Sequence, residues 1–161
     1  MKIGLLVLGV TLSVWLNAQQ GLYNGMLVKS TQSDSIFLLL DETKCHVASP
    51  TIFEQLFRPG AAVSTLPSLT LNAIRSGTPL NEVYLAKAKR KPPVYLVVNN
   101  TKRHLSDAST FERFRFDWGK IKEVKRKHLK RMPDGAPVKA NSFVIIIPEK
   151  IEEPLPCGNM D

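Results

Sequence analysis

The chain has 161 residues, with 22 Lys+Arg against 14 Asp+Glu and a formal charge of +8. Its 43% hydrophobic and 22% charged residues are those of a folded globular protein and exclude collagen-like and wholly disordered chains. Two cysteines are too few for a disulfide scaffold or a structural zinc site.

Residues 1–18 read as a secretory signal peptide. Lys2 supplies the positive start, Ile3 to Leu16 the apolar run, and Asn17-Ala18-Gln19-Gln20 the polar exit. The run is shorter than the roughly 20 residues that span a bilayer. Cleavage is expected after Ala18, and a membrane anchor is the alternative reading of the same segment. No later stretch is apolar enough to span a membrane, so a secreted, extracellular protein is expected.

An oxidising compartment lets Cys45 and Cys157 pair. Cys157 lies in Pro154-Leu-Pro-Cys-Gly158, so that bond would tie the tail to the first half of the chain. Closing so long a loop contributes roughly 4 kcal/mol in the chain-entropy model. Two free thiols or an intermolecular bond are the alternatives. Asn99-Asn100-Thr101 is a sequon, which makes Asn99 the glycan acceptor in a cell that glycosylates.

The rest is organised by a duplication. Residues 26–80 align without a gap on residues 84–138, with eleven identities in 55 positions. Thr43-Lys-Cys-His-Val47 falls on Thr101-Lys-Arg-His-Leu105, Phe53-Glu54 on Phe111-Glu112, and Gly77-Thr-Pro-Leu80 on Gly135-Ala-Pro-Val138. The expected fold is α+β, with two tandem 58-residue repeats at 22–80 and 81–138, each a β-hairpin with short helices. Ser142-Phe-Val-Ile-Ile-Ile147 stands where a third copy would begin, so 139–148 reads as a buried closing strand. An acidic, Pro-containing tail occupies 149–161, where it can moderate a basic face.

In chain order, each repeat starts with a short strand (26–29 and 83–87). An apolar strand (36–40 and 94–98) turns at Asp41-Glu42 or Asn99-Asn100 into a returning strand (43–47 and 101–105). Ser49-Pro50 and Asp107-Ala108 read as helix N-caps with the first helical residue. A third short strand is expected near 62–66 and 120–124. A second short helix carries Leu71 and Ile74, or Leu129 and Met132, and Gly77 or Gly135 suits its C′ position.

The second copy's Val-Tyr-Leu-Val, turn, Lys-Arg-His-Leu105, Phe-Glu112, Phe-Asp-Trp118, Leu129 and Pro133-Asp-Gly-Ala-Pro-Val138 resemble a tandem repeat of secreted and cell-surface, mainly bacterial, proteins. The resemblance implies an accessory module beside catalytic domains, with no chemistry of its own. The first copy departs from it: Arg58-Pro-Gly60 replaces Phe-Asp-Trp, and Cys45 replaces Arg.

No catalytic motif, phosphate-cradling loop or dinucleotide fingerprint is present, so no enzyme and no cofactor are expected. His46 and His104 are repeat equivalents, which points to a shared structural role, and no metal site is expected. Glu54 and Glu112 read as solvated helix-face acids.

The uneven feature is basic charge. Lys89, Arg90 and Lys91 form one cluster; Lys120, Lys122, Lys125, Arg126, Lys127, Lys130 and Arg131 form another. Val124-Lys-Arg-Lys-His-Leu-Lys-Arg131 has the spacing of sequences that bind sulfated polysaccharides. On a helix, Leu129 and Met132 face inward and the cations face out. The partners expected are an acidic or sulfated polysaccharide, by counterion release, or an extracellular protein. Nucleic acid is not expected, since no aromatic strip accompanies the charge. The preferred function is a secreted non-catalytic binding or matrix protein that contacts acidic polymers through the second repeat. The alternative is a protein-binding module (an inhibitor, toxin or effector) that uses its hairpin loops. A purely solubilising charge is the bland reading of the same residues.

Overall fold

A computed structural model describes residues 21–140. The signal segment 1–18, the closing strand from 141 to 148, the tail 149–161 and Cys157 lie outside the described residues.

The chain forms two similar α+β units. The first holds β1 (Leu27–Ser30), β2 (Ile36–Leu40), β3 (Thr43–His46), α1 (Pro50–Leu56), β4 (Val63–Leu66) and α2 (Ser68–Ala73). The second holds β5 (Val83–Ala88), β6 (Val94–Val98), β7 (Thr101–His104), α3 (Ala108–Arg113), β8 (Lys122–Val124) and α4 (Arg126–Arg131). A 3-10 turn, Trp118–Lys120, precedes β8. The sheet orders are β3-β2-β1-β4 and β7-β6-β5-β8. The first three strands of each unit form an antiparallel meander. The helix that follows is the crossover that lets the fourth strand return parallel to the first. Register is the same in both units: Val28 pairs with Ser64, and the equivalent Ala86 pairs with Lys122.

The hairpin turns need the left-handed region at both central residues. Asn99 and Asn100 sit at φ 46 and 62, and Asp41 and Glu42 at φ 51 and 61. Asn tolerates this backbone; Glu42 adopts it at a cost, because its Cβ crowds the carbonyl. Glu42→Gly is therefore expected to raise stability, by about 1 kcal/mol at most after the entropy of glycine is counted. Urea unfolding checks this, and a loss of stability would mean that Glu42 is not strained.

Ser49 Oγ accepts from the Ile52 amide at 3.3 Å and Asp107 Oδ1 from the Thr110 amide at 2.6 Å, so both caps stand where the sequence puts them. The two C′ glycines do not. α2 and α4 end at Ala73 and Arg131, and the chain then runs on beside β3 and β7. There the Gly77 amide donates to Lys44 O and the Gly135 amide to Lys102 O, at 3.0 and 2.9 Å. A Cβ on Gly77 would strike Thr43 and the Cys45 sulfur, so close approach, not a helix cap, calls for glycine.

Lys44 and Lys102 are a second shared device. Lys44 Nζ donates to Leu71 O at 2.7 Å, and Lys102 Nζ to Met132 O at 2.9 Å. Lys102 thus satisfies a carbonyl at the end of the outer helix, where intrahelical partners run out, and Lys44 adds a second donor to the Leu71 carbonyl, which also takes the Ile74 amide at 3.3 Å. Lys102→Met keeps the stem and loses the donor. A loss of about 1–3 kcal/mol is expected, with faster hydrogen exchange in α4, because the Met132 carbonyl is left unpartnered. Unchanged exchange in α4 would contradict that role.

Both faces of the central strands are apolar because both are covered. Val28 and Leu39 meet Leu71 and Ile74 of the α2 segment on one outer face. Ala86, Ala88 and Val97 meet Leu129 and Met132 on the other. The inner faces join in one core: Leu27, Leu38, Leu40, Leu85 and Leu96 meet Leu56, Phe57, Phe111, Phe114 and Phe116. An antiparallel bridge, Phe57↔Phe116, links the segments after α1 and α3. The copies therefore keep separate sheets and share a core.

His46 packs against Phe37 at 5.3 Å and His104 against Tyr95 at 5.5 Å, both cross-strand neighbours. The duplicated histidine is a ring laid on the hairpin.

Candidate functional site: a basic pocket in the second unit

Topology brings the two basic clusters together. β5 and β8 are parallel neighbours, so both leave the sheet at the same end. β5 leads into the Lys89-Arg90-Lys91 turn, and β8 leads into Lys125 and α4. The Lys89 amide donates to Val124 O at 3.3 Å and the Lys91 amide to Ala88 O at 3.0 Å, which stitches that turn to the end of β8. Arg90 takes the left-handed position, at φ 60.

Leu129 is buried and Met132 is 5% exposed, as an inward-facing stripe requires. Arg126, Lys127, Lys130 and Arg131 of α4 are exposed, with Lys125 before it. Small side chains at Ala86 and Ala88 let the helix sit low on the sheet. Between α4 and the β5–β6 turn lies a pocket of about 430 Å³. Lys91, Arg126 and Lys130 line it as cations; Pro93, Tyr95 and Leu129 supply its apolar wall.

Lys102 and Asp134 line the same pocket, but they cancel as an ion pair at 2.9 Å. None of the ten cations expected as a site pairs with a carboxylate among the described residues. Glu123, the acid within the basic run, is taken by Lys87 at 3.2 Å. A net positive concavity is left, and a concave low-dielectric wall focuses its field outward.

The other expected residues divide. Lys89, Arg90 and Lys125 flank the pocket in sequence, in the segments that frame it. Lys122 lies on β8, with Nζ 5.2 Å from the Tyr84 ring centroid. Lys127 and Arg131 are exposed on α4 outside the lining, and Lys120 precedes β8 beside Trp118. Sequence reasoning passed over Tyr95, Pro93 and Lys102. The one available signal was the identity of Lys44 and Lys102 in the two copies.

The first unit is an internal reference. The positions of Lys91, Arg126 and Lys130 are held there by Ser33, Ser68 and Asn72. Ser68 Oγ and Ser30 Oγ are hydrogen-bonded at 2.7 Å. The pocket's charge is thus separable from the fold that carries it.

Asn99 is exposed at the tip of the β6–β7 turn. Cys45 is 4% exposed, with Sγ 3.6 Å from Thr43 Oγ1. Burial pushes its thiol up from the ordinary value, partly offset by the Thr43 hydrogen bond. Among the described residues no group of three His, Cys, Asp or Glu is placed to hold a metal. No described helix is long and apolar enough to cross a membrane. Comparison with protein-family models, curated proteins and solved structures finds no match.

Proposed function

We propose that the protein is a secreted, non-catalytic binding or matrix component whose second repeat holds sulfated or otherwise acidic polysaccharides. The observation that carries this reading is the convergence of Lys91, Arg126 and Lys130 on one pocket without a carboxylate of their own. Tyr95, Pro93 and Leu129 offer a sugar ring an apolar wall, and the cations offer its sulfates or carboxylates donors. Lys89, Arg90, Lys122, Lys125, Lys127, Arg131 and Lys120 extend the positive face for a longer polymer. Export, expected from residues 1–18, the Cys45–Cys157 bond and a glycan on Asn99 belong to the same proposal.

Heparin serves as the test polymer. Its affinity is expected to fall steeply between low and moderate salt, because each neutralised anion releases counterions. Affinity that ignores salt would favour an extracellular protein partner instead, since an apolar interface is insensitive to screening.

A further inference from the structure

A different pocket recurs in both units, framed by the start of the second strand, the end of the third and the N-terminus of the following helix. In the second unit Val94, His104, Leu105, Asp107, Phe111 and Trp118 line about 280 Å³. In the first, Ile36, His46, Val47, Ser49, Phe53 and Glu54 line about 500 Å³. The shared positions are repeat equivalents. Trp118 has Gly60 as its counterpart, and the first pocket's lining stops at Glu54.

Trp118 fills its socket in a defined way. Its ring stacks on Phe111 with centroids 3.8 Å apart and planes 22° apart. Its Nε1–H donates to Glu112 Oε1 at 2.6 Å, and Arg58 donates to the other carboxylate oxygen at 3.0 Å. Glu112 is exposed, as its helix position suggests, and both of its carboxylate oxygens are engaged. The ring remains 50% exposed, because it is laid on a shelf, not sunk in the core. The first unit keeps the shelf and the acceptor, Phe53 and Glu54, and lacks the ring. Phe53 is half-buried where Phe111 is fully covered. The Glu54 carboxylate has no hydrogen bond or ion pair among the described residues.

We infer that the first-unit pocket is a socket for a tryptophan side chain presented by another polypeptide, with the indole stacked on Phe53 and its N–H donated to Glu54. The second unit is the template: the same platform and acceptor hold an indole there. An indole satisfies both at once, a face for the ring and an edge N–H for the carboxylate. A polypeptide source follows from the template's one-sided grip. A half-exposed ring is held from one face only, and its remaining anchorage comes from the chain that carries it. None of Lys91, Arg126 or Lys130 takes part, so this site stands apart from the basic pocket.

The probe is a synthetic peptide with the sequence Phe-Asp-Trp-Gly-Lys, that of residues 116–120, added to the isotope-labelled mature protein. Amide shifts are expected at His46, Phe53 and Glu54, and none with a peptide that carries Ala for Trp. Glu54→Gln, an exposed change that breaks no bond in the described structure, should weaken binding about tenfold, as loss of a charge-assisted hydrogen bond does. Trp118→Ala opens the second socket and should raise the stoichiometry from one peptide to two. Shifts elsewhere, an unaffected Glu54→Gln variant, or free indole bound as tightly as the peptide would overturn the inference. So would a folded Trp118→Ala variant that still takes one peptide; if that variant does not fold, Glu54→Gln decides.

Discussion

A variant with Lys91, Arg126 and Lys130 changed to Gln is expected to leave a heparin column at much lower salt than the parent. A second variant, Lys120, Lys127 and Arg131 to Gln, removes the same charge and should elute close to the parent. The contrast follows from placement. A cation–anion contact at about 4 Å is worth roughly 1 kcal/mol in water and more beside a low-dielectric wall. Three convergent contacts on one polymer segment then amount to about 3 kcal/mol, roughly a hundredfold in affinity at low salt. The outer three cannot share one segment in the same way, because Lys120 stands before β8 and the other two stand on α4. Their loss should cost less than about tenfold, through the field alone. All six are exposed and unpaired with carboxylates among the described residues, so neither variant should unfold. Equal loss in the two variants would mean that charge is solubilising or diffuse and that the pocket has no special part.

Phe116→Ala is expected to destabilise the protein by about 3–5 kcal/mol, the cost of emptying a fully buried aromatic site. Phe116 is 1% exposed. Its ring stacks on Phe57 of the first unit at 5.6 Å and on Phe114 of the second at 5.4 Å. The cavity therefore opens in the core that both units share. The loss is a large part of the 5–15 kcal/mol typical of a whole domain. Both units should lose it together: Leu38 and Leu39 in one sheet and Leu96 and Val97 in the other should exchange their amides faster by the same factor. Acceleration confined to the second sheet would show that the units fold independently. A smaller effect arises at high pH. In the reduced protein the buried Cys45 thiol ionises less readily in the folded chain than in the unfolded one. Stability is therefore fully kept below the ordinary thiol range and falls as pH rises through it. Cys45→Ala should remove that slope at the expense of a small cavity.

Much of this fold is legible in the residues, for definable reasons. Apolar runs bounded by turn formers locate β2 and β6, and the gapless alignment carries each assignment from one copy to the other. Positive-φ turns at Asn99-Asn100 and caps at Ser49 and Asp107 follow from side-chain chemistry a few residues long. Leu129 and Met132 face inward because helical spacing leaves them nowhere else. What stayed hidden depends on contacts distant in sequence. The small size of one copy points to mutual packing of the two, but Ile36-Phe-Leu-Leu-Leu40 is apolar on both faces whether a helix or another sheet covers it, so which faces meet could not be read from it. The meeting of Lys91 with Arg126 needs the parallel pairing of β5 with β8. Gly77 looks like a helix end until β3 is seen beside it. Lys102 looks like any surface lysine, and only its Met132 and Asp134 partners reveal its place. Glu112 is exposed as its helix position suggests, but its ion pair with Arg58 of the other repeat shows only in the structure.

The measurement that bears most directly on the central claim is amide-shift mapping of the isotope-labelled mature protein with a heparin hexasaccharide at moderate salt. Shifts are expected at Lys91, Tyr95, Arg126, Leu129 and Lys130, and none at their first-unit counterparts Ser33, Phe37, Ser68, Leu71 and Asn72. Shifts spread evenly over all exposed lysines, or absent altogether, would contradict it.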